Sequence, residues 1–495
     1  MGIKRPPTSP GRVDADYVFY ELTRSICPEC RKVIDAHILL RDNKVYMRKR
    51  CPEHGPFEAL VYGDAQAYCA SAKFNKPGSV PLAYSTPVVE GCPYDCGLCP
   101  SHQQHACVGI IEVNSACNMD CPLCFANAGA GYNLTLAEVE AILDHFVETE
   151  GRADVVQFSG GEPTIHPDII AMLRAAKERN IRHVMLNTNG KRIASDDRFV
   201  EQLAELRPSI YFQFDGFEPE TYRALRGEPD MLGEKLRALD RLAAIGCHVV
   251  LVPTIERGVN DHEVGRIVRF ALEHPAVRGV NFQPAFHAGR FAGHDPLQRM
   301  TNPDILRMLE QQTGGLFRYG DFIPIPCCFP TCNSVTYAYV DGDDVTPLTR
   351  LLNVDDYLDY ISNRALLNLD ADVKAALEGL WSTSAVPGTE QIISDFAVTC
   401  AACSLPSGGV DVNELTSHLF VMMLQDFMDP WTFNQKNLMK CCKEILLPDG
   451  KQIPFCAYNN LGYREQTRTQ LADRHNKRGQ TEKQPKPLHF SFTRY

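Results

Sequence analysis

The sequence predicts an α/β protein in which a parallel sheet with covering helices is flanked by smaller metal-binding modules. Apolar, β-branched segments recur between residues 109 and 284, and helical patterns separate them. This alternation is typical of βαβ units, in which each helix returns the chain to the start of a parallel strand. The second observation concerns cysteine, of which the chain has 20 in 495 residues, mostly in clusters. Clustered cysteines without an export signal indicate metal sites rather than disulfides.

Six segments are predicted to form the strands of this sheet. They are residues 109–113, 154–159, 183–188, 210–215, 248–254 and 279–284. The helix after the first strand has the clearest pattern, because Thr135 and Glu138 have the spacing of a capping box. Apolar residues follow at helical spacing: Val139, Ile142, Leu143 and Phe146.

The most informative motif is a group of three cysteines just after the first predicted strand. Cys117, Cys121 and Cys124 have the spacing C-x3-C-x2-C. Three thiolates this close can hold three irons of a [4Fe-4S] cluster and leave the fourth iron without a protein ligand. A structural zinc or a cluster with four cysteine ligands is the alternative interpretation of this group.

A second motif follows about forty residues later, at the end of the second predicted strand. Its residues are Gly160, Gly161, Glu162 and Pro163. Two glycines allow a close approach of the backbone, and the amides and the Glu162 carboxylate are candidates to bind the amino group of a ligand. We therefore predict that this strand ends at a binding site.

Together the two motifs resemble those of the radical S-adenosylmethionine (SAM) superfamily, over roughly residues 108 to 300. The resemblance implies a partial (β/α)6 TIM-like barrel and cleavage of SAM to a 5′-deoxyadenosyl radical at Cys117, Cys121 and Cys124. Barrel active sites lie at the carboxyl ends of the strands. The polar residues there become candidates to bind the cofactor: Asn187, Gln213, Asp215, Thr254 and Gln283.

An N-terminal cluster has the spacing C-x2-C-x20-C-x2-H. Its members are Cys27, Cys30, Cys51 and His54. Two such knuckles make a tetrahedral site, as in zinc ribbons, and zinc is the default ion. A rubredoxin-like iron is the alternative.

The next cluster repeats the C-x3-C-x2-C spacing before the barrel and adds a fourth cysteine. Its members are Cys92, Cys96, Cys99 and Cys107. Four ligands would complete a [4Fe-4S] cluster without an open iron, which suits electron transfer. We assign SAM to the later group because Cys117 follows the first strand.

Eight further cysteines are dispersed over the last 170 or so residues and indicate another cluster. Their spacing cannot assign the ligands. We favour four of them over the pair Cys400 and Cys403: Cys328, Cys332, Cys442 and Cys456.

The whole layout, from about residue 25 to 465, resembles the multi-cluster radical SAM proteins that include the archaeal tetraether lipid synthase. Close relatives of these are described as pterin-modifying methylases. The resemblance implies a transferase that functionalises unactivated C–H bonds and forms C–C bonds between lipid chains. Methylation of a pterin or another small molecule is the alternative. A non-catalytic iron–sulfur electron carrier is a third interpretation, which residues 160–163 disfavour.

The resemblance also implies the cofactors and partners. They are SAM, one SAM-binding and one or two auxiliary [4Fe-4S] clusters, one mononuclear Fe or Zn, and an external one-electron donor of the ferredoxin or flavodoxin type. We expect an oxygen-sensitive enzyme whose substrate is a hydrophobic lipid or a small molecule. A net charge of −11 argues against a nucleic-acid partner.

No segment reaches the roughly 18 apolar residues of a membrane helix, and we expect a cytoplasmic protein. The expected modules are a zinc-ribbon or rubredoxin-like domain (1–80), an auxiliary-cluster linker (81–108), the barrel (109–300), a C-terminal auxiliary-cluster domain (301–465) and a disordered tail (466–495). The tail's composition predicts disorder. Its basic and aromatic residues make peripheral contact with the inner face of a membrane the alternative.

Overall fold

The computed structural model describes residues 15–129, 131–151, 153–291, 293–351 and 418–478. Cys400 and Cys403 lie outside this part of the chain, as do residues 479–495, which include the terminal aromatic residues of the predicted tail.

Four antiparallel strands in sequential order form the N-terminal module. They are β1 (Val18–Ile26), β2 (Val33–Arg41), β3 (Lys44–Cys51) and β4 (Gly55–Tyr62). Asp42 and Asn43, with φ of 50° and 53°, make the tight turn between β2 and β3. Such left-handed residues suit a two-residue hairpin because they match the twist of its strands. Helix α1 (Ala65–Ser71) follows and is capped by Asp64, whose carboxylate accepts from Ala67 N at 3.0 Å.

Six parallel strands form the centre of the second sheet and adjoin one another in chain order. They are β5 (Val108–Asn114), β6 (Ala153–Gly160), β7 (Ile181–Thr188), β8 (Ser209–Gln213), β9 (Val249–Val252) and, after the short strand β10 (Thr254–Ile255), β11 (Val277–Pro284). Each matches a predicted segment to within a few residues. The predicted α/β fold with a partial (β/α)6 barrel is thereby confirmed.

Helices connect these strands and cover one face of the sheet. They are α2 (Leu136–Glu150), α3 (Ile169–Lys177), α4 (Lys191–Ser195), α5 (Asp197–Leu206), α6 (Pro219–Arg226), α7 (Leu232–Ala244), α8 (Val264–Glu273) and α9 (Asn302–Gln312). The capping box of α2 is present: Thr135 N donates to Glu138 Oε2 at 2.9 Å, and Glu138 N donates to Thr135 Oγ1 at 3.3 Å. No described helix has both the length and the apolar character needed to cross a bilayer.

The described strands after residue 301 extend the barrel sheet at both of its edges. At one edge lie β12 (Ile323–Pro324), β13 (Asn333–Asp341), β14 (Asp344–Pro347) and β15 (Leu419–Gln425), and β15 runs parallel to β11. At the other lie β16 (Lys443–Leu446), which runs parallel to β5, and β17 (Gln452–Pro454). This arrangement brings the cysteines near residues 327–332 and 441–442 to the barrel.

Three helices complete the described chain, and the last corrects the predicted start of the disordered tail. They are α10 (Gln435–Met439), α11 (Phe455–Asn460) and α12 (Tyr463–Arg478). Arg464 in α12 is 2% exposed and pairs with Glu112 of β5 at 2.7 Å. Arg468 donates to the carbonyls of Ala126 and Asn127 at 2.6 and 2.7 Å. Arg464, just before the predicted tail, and Arg468, within it, therefore dock this helix on the barrel.

Candidate active site

The three cysteines of the C-x3-C-x2-C motif lie in the loop after β5 and line a cavity of about 780 Å³. Backbone hydrogen bonds fix this loop. Glu162 N donates to Ala116 O at 2.8 Å, and Cys124 and Arg290 exchange two bonds of 2.8 and 3.0 Å. Burial raises the pKa of the Cys117 thiol to about 12, but metal binding replaces the proton and favours the thiolate. Three neighbouring thiols at the end of a parallel strand therefore fit an iron–sulfur cluster.

Positions 160 and 161 must be glycine because the loop that carries the three cysteines passes too close to leave room for a side chain. A Cβ on Gly161 would lie 2.0 Å from Ala116 O, and one on Gly160 would lie 2.3 Å from Asn114 O. The sequence predicted a close approach at this point, and the structure shows that the approaching group is the backbone preceding Cys117.

We expect Gly161→Ala to destabilise the fold by about 1–3 kcal/mol, because the new methyl group has no room and the loop must shift. Displacement of the loop should also lower the iron bound per chain. Denaturant unfolding and iron analysis measure the two effects. The matched control is Gly129→Ala in the same loop, where a Cβ would meet nothing within 4 Å. Equal stability and iron content in the two variants would contradict this explanation.

The Glu162 carboxylate joins the loops after β6 and β7. Its Oε1 accepts from Thr164 N at 3.0 Å and from the hydroxyls of Thr164 and Thr188 at 2.6 and 2.8 Å. Its Oε2 accepts from Asn189 N at 2.7 Å and retains capacity for one more donor at the cavity wall. Burial raises the pKa of this carboxyl, and the four donors oppose that effect.

Two predicted cofactor-binding residues, Asp215 and Pro163, do not line the cavity. Asp215 is completely buried and forms a bidentate pair with Arg226, with both contacts at 2.7 Å. A carboxylate buried this deeply needs such a partner. Arg226 does line the cavity, close to Cys121, and also donates to Thr254 Oγ1 at 3.0 Å. Asp215 therefore does not face the site. It orients Arg226, which does.

Lys235 of α7, which was not among the predicted site residues, holds residues of the same cavity wall in place. Its ammonium group donates to Asn189 O at 2.6 Å and to Gln213 Oε1. Burial lowers its pKa to about 7, although the nearby Asp215 acts in the opposite direction. Lys235 therefore fixes the ends of β7 and β8 at the cavity.

The other polar residues predicted at strand ends line the cavity: Asn187, Gln213, Thr254 and Gln283. The cavity also extends along the strands towards their amino ends, where His183 and Arg278 contribute to its wall. Side chains in the middle of strands therefore face it as well. These side chains were not predicted, because the site was expected at the strand ends alone.

Three residues that were not predicted, Tyr211, Asn281 and Gln425, form a polar network with the predicted Gln283, and we call these four residues the carboxamide wall. Gln283 Nε2 donates to Tyr211 Oη at 2.8 Å, and Asn281 Nδ2 also donates to that hydroxyl and to Gln425 Oε1 at 3.4 Å. Asn281 Oδ1 is buried without a hydrogen-bond partner among the described residues.

Cysteines from three parts of the chain meet at another wall of the cavity. The sulfur atoms of Cys107, Cys327 and Cys442 lie within 4.8 Å of one another, and Cys328 packs against them. Cys327 and Cys442 line the cavity. We call these four residues the auxiliary quartet. Asn333 Nδ2 donates to Cys328 Sγ at 2.8 Å, and the Lys443 ammonium group donates to Asn333 Oδ1 at 3.1 Å.

This grouping differs from two predicted ligand sets. Cys107 was assigned with Cys92, Cys96 and Cys99, which lie apart from it around a small pocket that His102 also lines. Cys327 stands where the predicted C-terminal set had Cys456, and Cys456 packs in another apolar cluster that also contains Cys96. Cys332 lies at the margin of the auxiliary quartet.

The four predicted ligands of the N-terminal module are brought together. The ligand atoms of Cys27, Cys30, Cys51 and His54 lie within 4.8 Å of one another. His54 Nδ1 is 3.6 Å from Cys27 Sγ and 3.5 Å from Cys51 Sγ. The arrangement fits one tetrahedral ion, and His54 faces the same centre as the three thiols.

Comparison with known proteins identifies two modules of the chain. A family model described as the radical SAM superfamily matches residues 111–271. A model described as the HMPTM N-terminal zinc ribbon domain matches residues 19–63. The two matched ranges correspond to the barrel and to the antiparallel module.

Several curated proteins and solved structures are similar to this chain. The 7,8-dihydro-6-hydroxymethylpterin dimethyltransferase of Methanocaldococcus jannaschii is 34% identical over 482 residues, which cover 90% of this chain and 94% of that protein. The GTP 3′,8-cyclase of Chlorobaculum tepidum is 29% identical over 213 residues, covering 41% of this chain and 63% of the relative. The structure of Streptococcus suis SuiB bound to S-adenosylmethionine has a TM-score of 0.36 at 19% identity, covering 42% of this chain and 47% of SuiB.

Proposed function

The chain belongs to the radical SAM superfamily, and we propose that it is a methyltransferase whose substrate is a small heterocycle of the dihydropterin class. The observation that carries this proposal is the nearly end-to-end identity of 34% with a dimethyltransferase of 7,8-dihydro-6-hydroxymethylpterin. Of the two activities that the sequence implied, this finding favours pterin methylation over the joining of lipid chains. The division into modules at 1–80, 81–108, 109–300 and 301–465 is part of the proposal.

The chain uses SAM, [4Fe-4S] clusters and a mononuclear metal ion. We assign the SAM-binding cluster to Cys117, Cys121 and Cys124, an auxiliary cluster to the auxiliary quartet, and the single ion to the N-terminal module. When bound, reduced cluster and SAM together supply a 5′-deoxyadenosyl radical that can abstract hydrogen from an unactivated C–H bond. The electron comes from an external one-electron donor.

The chain's own residues prepare the site for this chemistry. Glu162 holds the ends of β6 and β7 together through its four donors. The Arg226 guanidinium places positive charge beside Cys121, where it offsets the repulsion between closely spaced thiolates. Asp215 fixes Arg226, and Lys235 fixes Gln213. The groups that face a bound ligand are therefore held in place before the ligand arrives.

The cavity supports a small heterocyclic substrate. Its volume of about 780 Å³ lies within the range of roughly 300–1,000 Å³ that is usual for small-molecule sites. The residues of the carboxamide wall line the cavity and bring carboxamide and hydroxyl groups, which can donate and accept hydrogen bonds, to its surface. The fused ring of a pterin carries N–H and amino donors beside ring acceptors, so its edge can complement this wall.

The proposal is tested with anaerobically reconstituted enzyme, SAM and a one-electron reductant. One reaction contains a 7,8-dihydropterin and another contains membrane lipid, and mass spectrometry follows both. We expect methylated dihydropterin and unchanged lipid. Asn281→Leu should reduce dihydropterin methylation, because at similar volume it removes the amide that holds Tyr211 and Gln425 in the cavity wall. Gln66→Leu on exposed α1 is the control and should leave it unchanged.

Two results would contradict the proposal. The first is lipid coupling with no change in the dihydropterin. The second is 5′-deoxyadenosine formation that no dihydropterin increases and that yields no methylated product.

A further inference from the structure

A second cluster of side chains with metal-ligand chemistry lies outside the cavity, beneath the N-terminal module. Its members are His287 and His294, which follow β11, Asp429, which follows β15, and Glu256 from the loop after β10. One ligand atom from each histidine and from Asp429 lies within 4.8 Å of the others. Lys49 of β3 donates to the carbonyls of Pro430 and Trp431 at 2.7 and 2.9 Å, and so holds the N-terminal module over this cluster.

The hydrogen bonds around His287 leave one of its nitrogens facing a carboxylate. Glu256 Oε2 lies 3.2 Å from His287 Nε2 and, as a carboxylate oxygen, accepts a hydrogen bond from the N–H there. In the neutral ring, Nδ1 is then an acceptor, and it lies 3.9 Å from Asp429 Oδ2. Asp429 Oδ1 is separately engaged, because it caps Trp431 N and Thr432 N at 2.9 and 3.1 Å.

Three acceptors in this cluster are buried without a donor among the described residues. They are His287 Nδ1, His294 Nε2 and Asp429 Oδ2. His287 is 5% exposed and Asp429 is completely buried. Burying acceptors that face one another without a donor is unfavourable, and a cation between them would remove that cost. The carboxylate on the far nitrogen of His287 is also the arrangement that commonly orients a metal-binding histidine.

We propose that His287, His294 and Asp429 bind one divalent transition-metal ion such as Zn²⁺, with Glu256 orienting His287. Two imidazoles and a carboxylate are ligands that such ions accept. His294 is stacked on His287 with a centroid distance of 3.7 Å and an angle of 12°. Its side chain must therefore rotate to direct Nε2 at the ion. Its partial exposure, next to exposed Phe291, leaves room for that rotation.

The position of the site indicates what the ion does. Between the two histidines lies Arg290, whose backbone bridges that of Cys124 in both directions. An ion held by His287, His294 and Asp429 ties this segment to the loop after β15. It thereby supports the loop that carries the third thiol of the SAM-binding group, and it does so without facing the cavity.

The test counts zinc in the full chain with its clusters reconstituted. After a mild chelator wash, the protein is saturated with Zn²⁺, desalted and analysed for zinc. We expect His294→Ala and Asp429→Asn to lose one equivalent relative to wild type. Asp429→Asn keeps the oxygen that caps Trp431 and Thr432. His262→Ala is the control, because His262 lies near Glu218 and Glu263 in a similar but more exposed group, and it should keep the wild-type count.

Thermal unfolding provides a readout that does not depend on activity. Added Zn²⁺ should raise the Tm of wild type and of His262→Ala, since binding to the folded state stabilises it. It should raise the Tm of the two site variants less. The proposal is overturned if saturated wild type holds no zinc beyond the N-terminal site. Unchanged zinc content in both site variants, as expected if His287 is simply an imidazolium paired with the two carboxylates, would also overturn it.

Discussion

Replacing Cys117, Cys121 and Cys124 together by alanine should abolish the formation of 5′-deoxyadenosine from SAM. Each thiol lines the cavity at the end of β5, and the cluster that reduces SAM has no other ligands in our assignment. The measurement is chromatographic detection of 5′-deoxyadenosine after anaerobic reconstitution with reductant. Cys69→Ala is the control, because Cys69 is exposed on α1, and it should give the wild-type yield. Undiminished product from the triple variant would refute the assignment.

The second large effect is expected at the auxiliary quartet. Cys327→Ala and Cys442→Ala should each abolish methylation of the dihydropterin and leave the yield of 5′-deoxyadenosine near that of wild type. Both sulfurs face the cavity, but they belong to a different part of its wall from the SAM-binding cysteines. Losing one of them removes a cluster ligand without touching the loop after β5. Separate quantification of the two products in one reaction measures this difference.

A matched control exists for these two variants. Cys247 is 1% exposed and packs in the main apolar core with no other cysteine. Cys247→Ala should therefore retain both products. The interpretation is wrong if Cys327→Ala and Cys442→Ala both make the full amount of methylated product, or if they lose SAM cleavage as completely as the triple variant.

The parts of the fold and site that were predictable depend on residues close together in the chain. The spacing of Cys117 to Cys124, the motif at residues 160–163 and the alternation of apolar runs each occupy a short window. The alternation predicts parallel βαβ units, and the two motifs carry the resemblance that implies a partial (β/α)6 barrel. The ribbon ligands were predictable for the same reason, since each knuckle is local and a hairpin joins the two.

The auxiliary quartet could not be predicted, because its members come from three distant parts of the sequence and become neighbours only when the strands assemble into the sheet. Cys107 precedes β5, Cys442 precedes β16, and these strands pair in parallel. Cys327 precedes β13, at the opposite edge of the sheet. Spacing instead suggested Cys107 as a ligand beside Cys99, because the two are near in sequence.

Polar residues at the carboxyl ends of the strands were predicted to line the site. Whether each of them does so depends on where its side chain points. Asn187 and Gln283 face the cavity as expected, whereas Asp215 turns to pair with Arg226. Tyr211 and Asn281 were missed because they lie within strands, where a closed barrel would pack them among other side chains. In this open barrel they face the cavity. The helix Tyr463–Arg478 was missed because its docking depends on Glu112, far away in sequence.

The central claim is that two sets of cysteines hold iron at separate walls of one cavity. Anomalous diffraction at the iron edge, from anaerobic crystals of the reconstituted protein, tests it most directly. We predict iron beside Cys117, Cys121 and Cys124 and iron bound by Cys107, Cys327 and Cys442, both next to the cavity. Iron at the first position with none at the second, or a cluster in which Cys107 joins Cys92, Cys96 and Cys99, would contradict it.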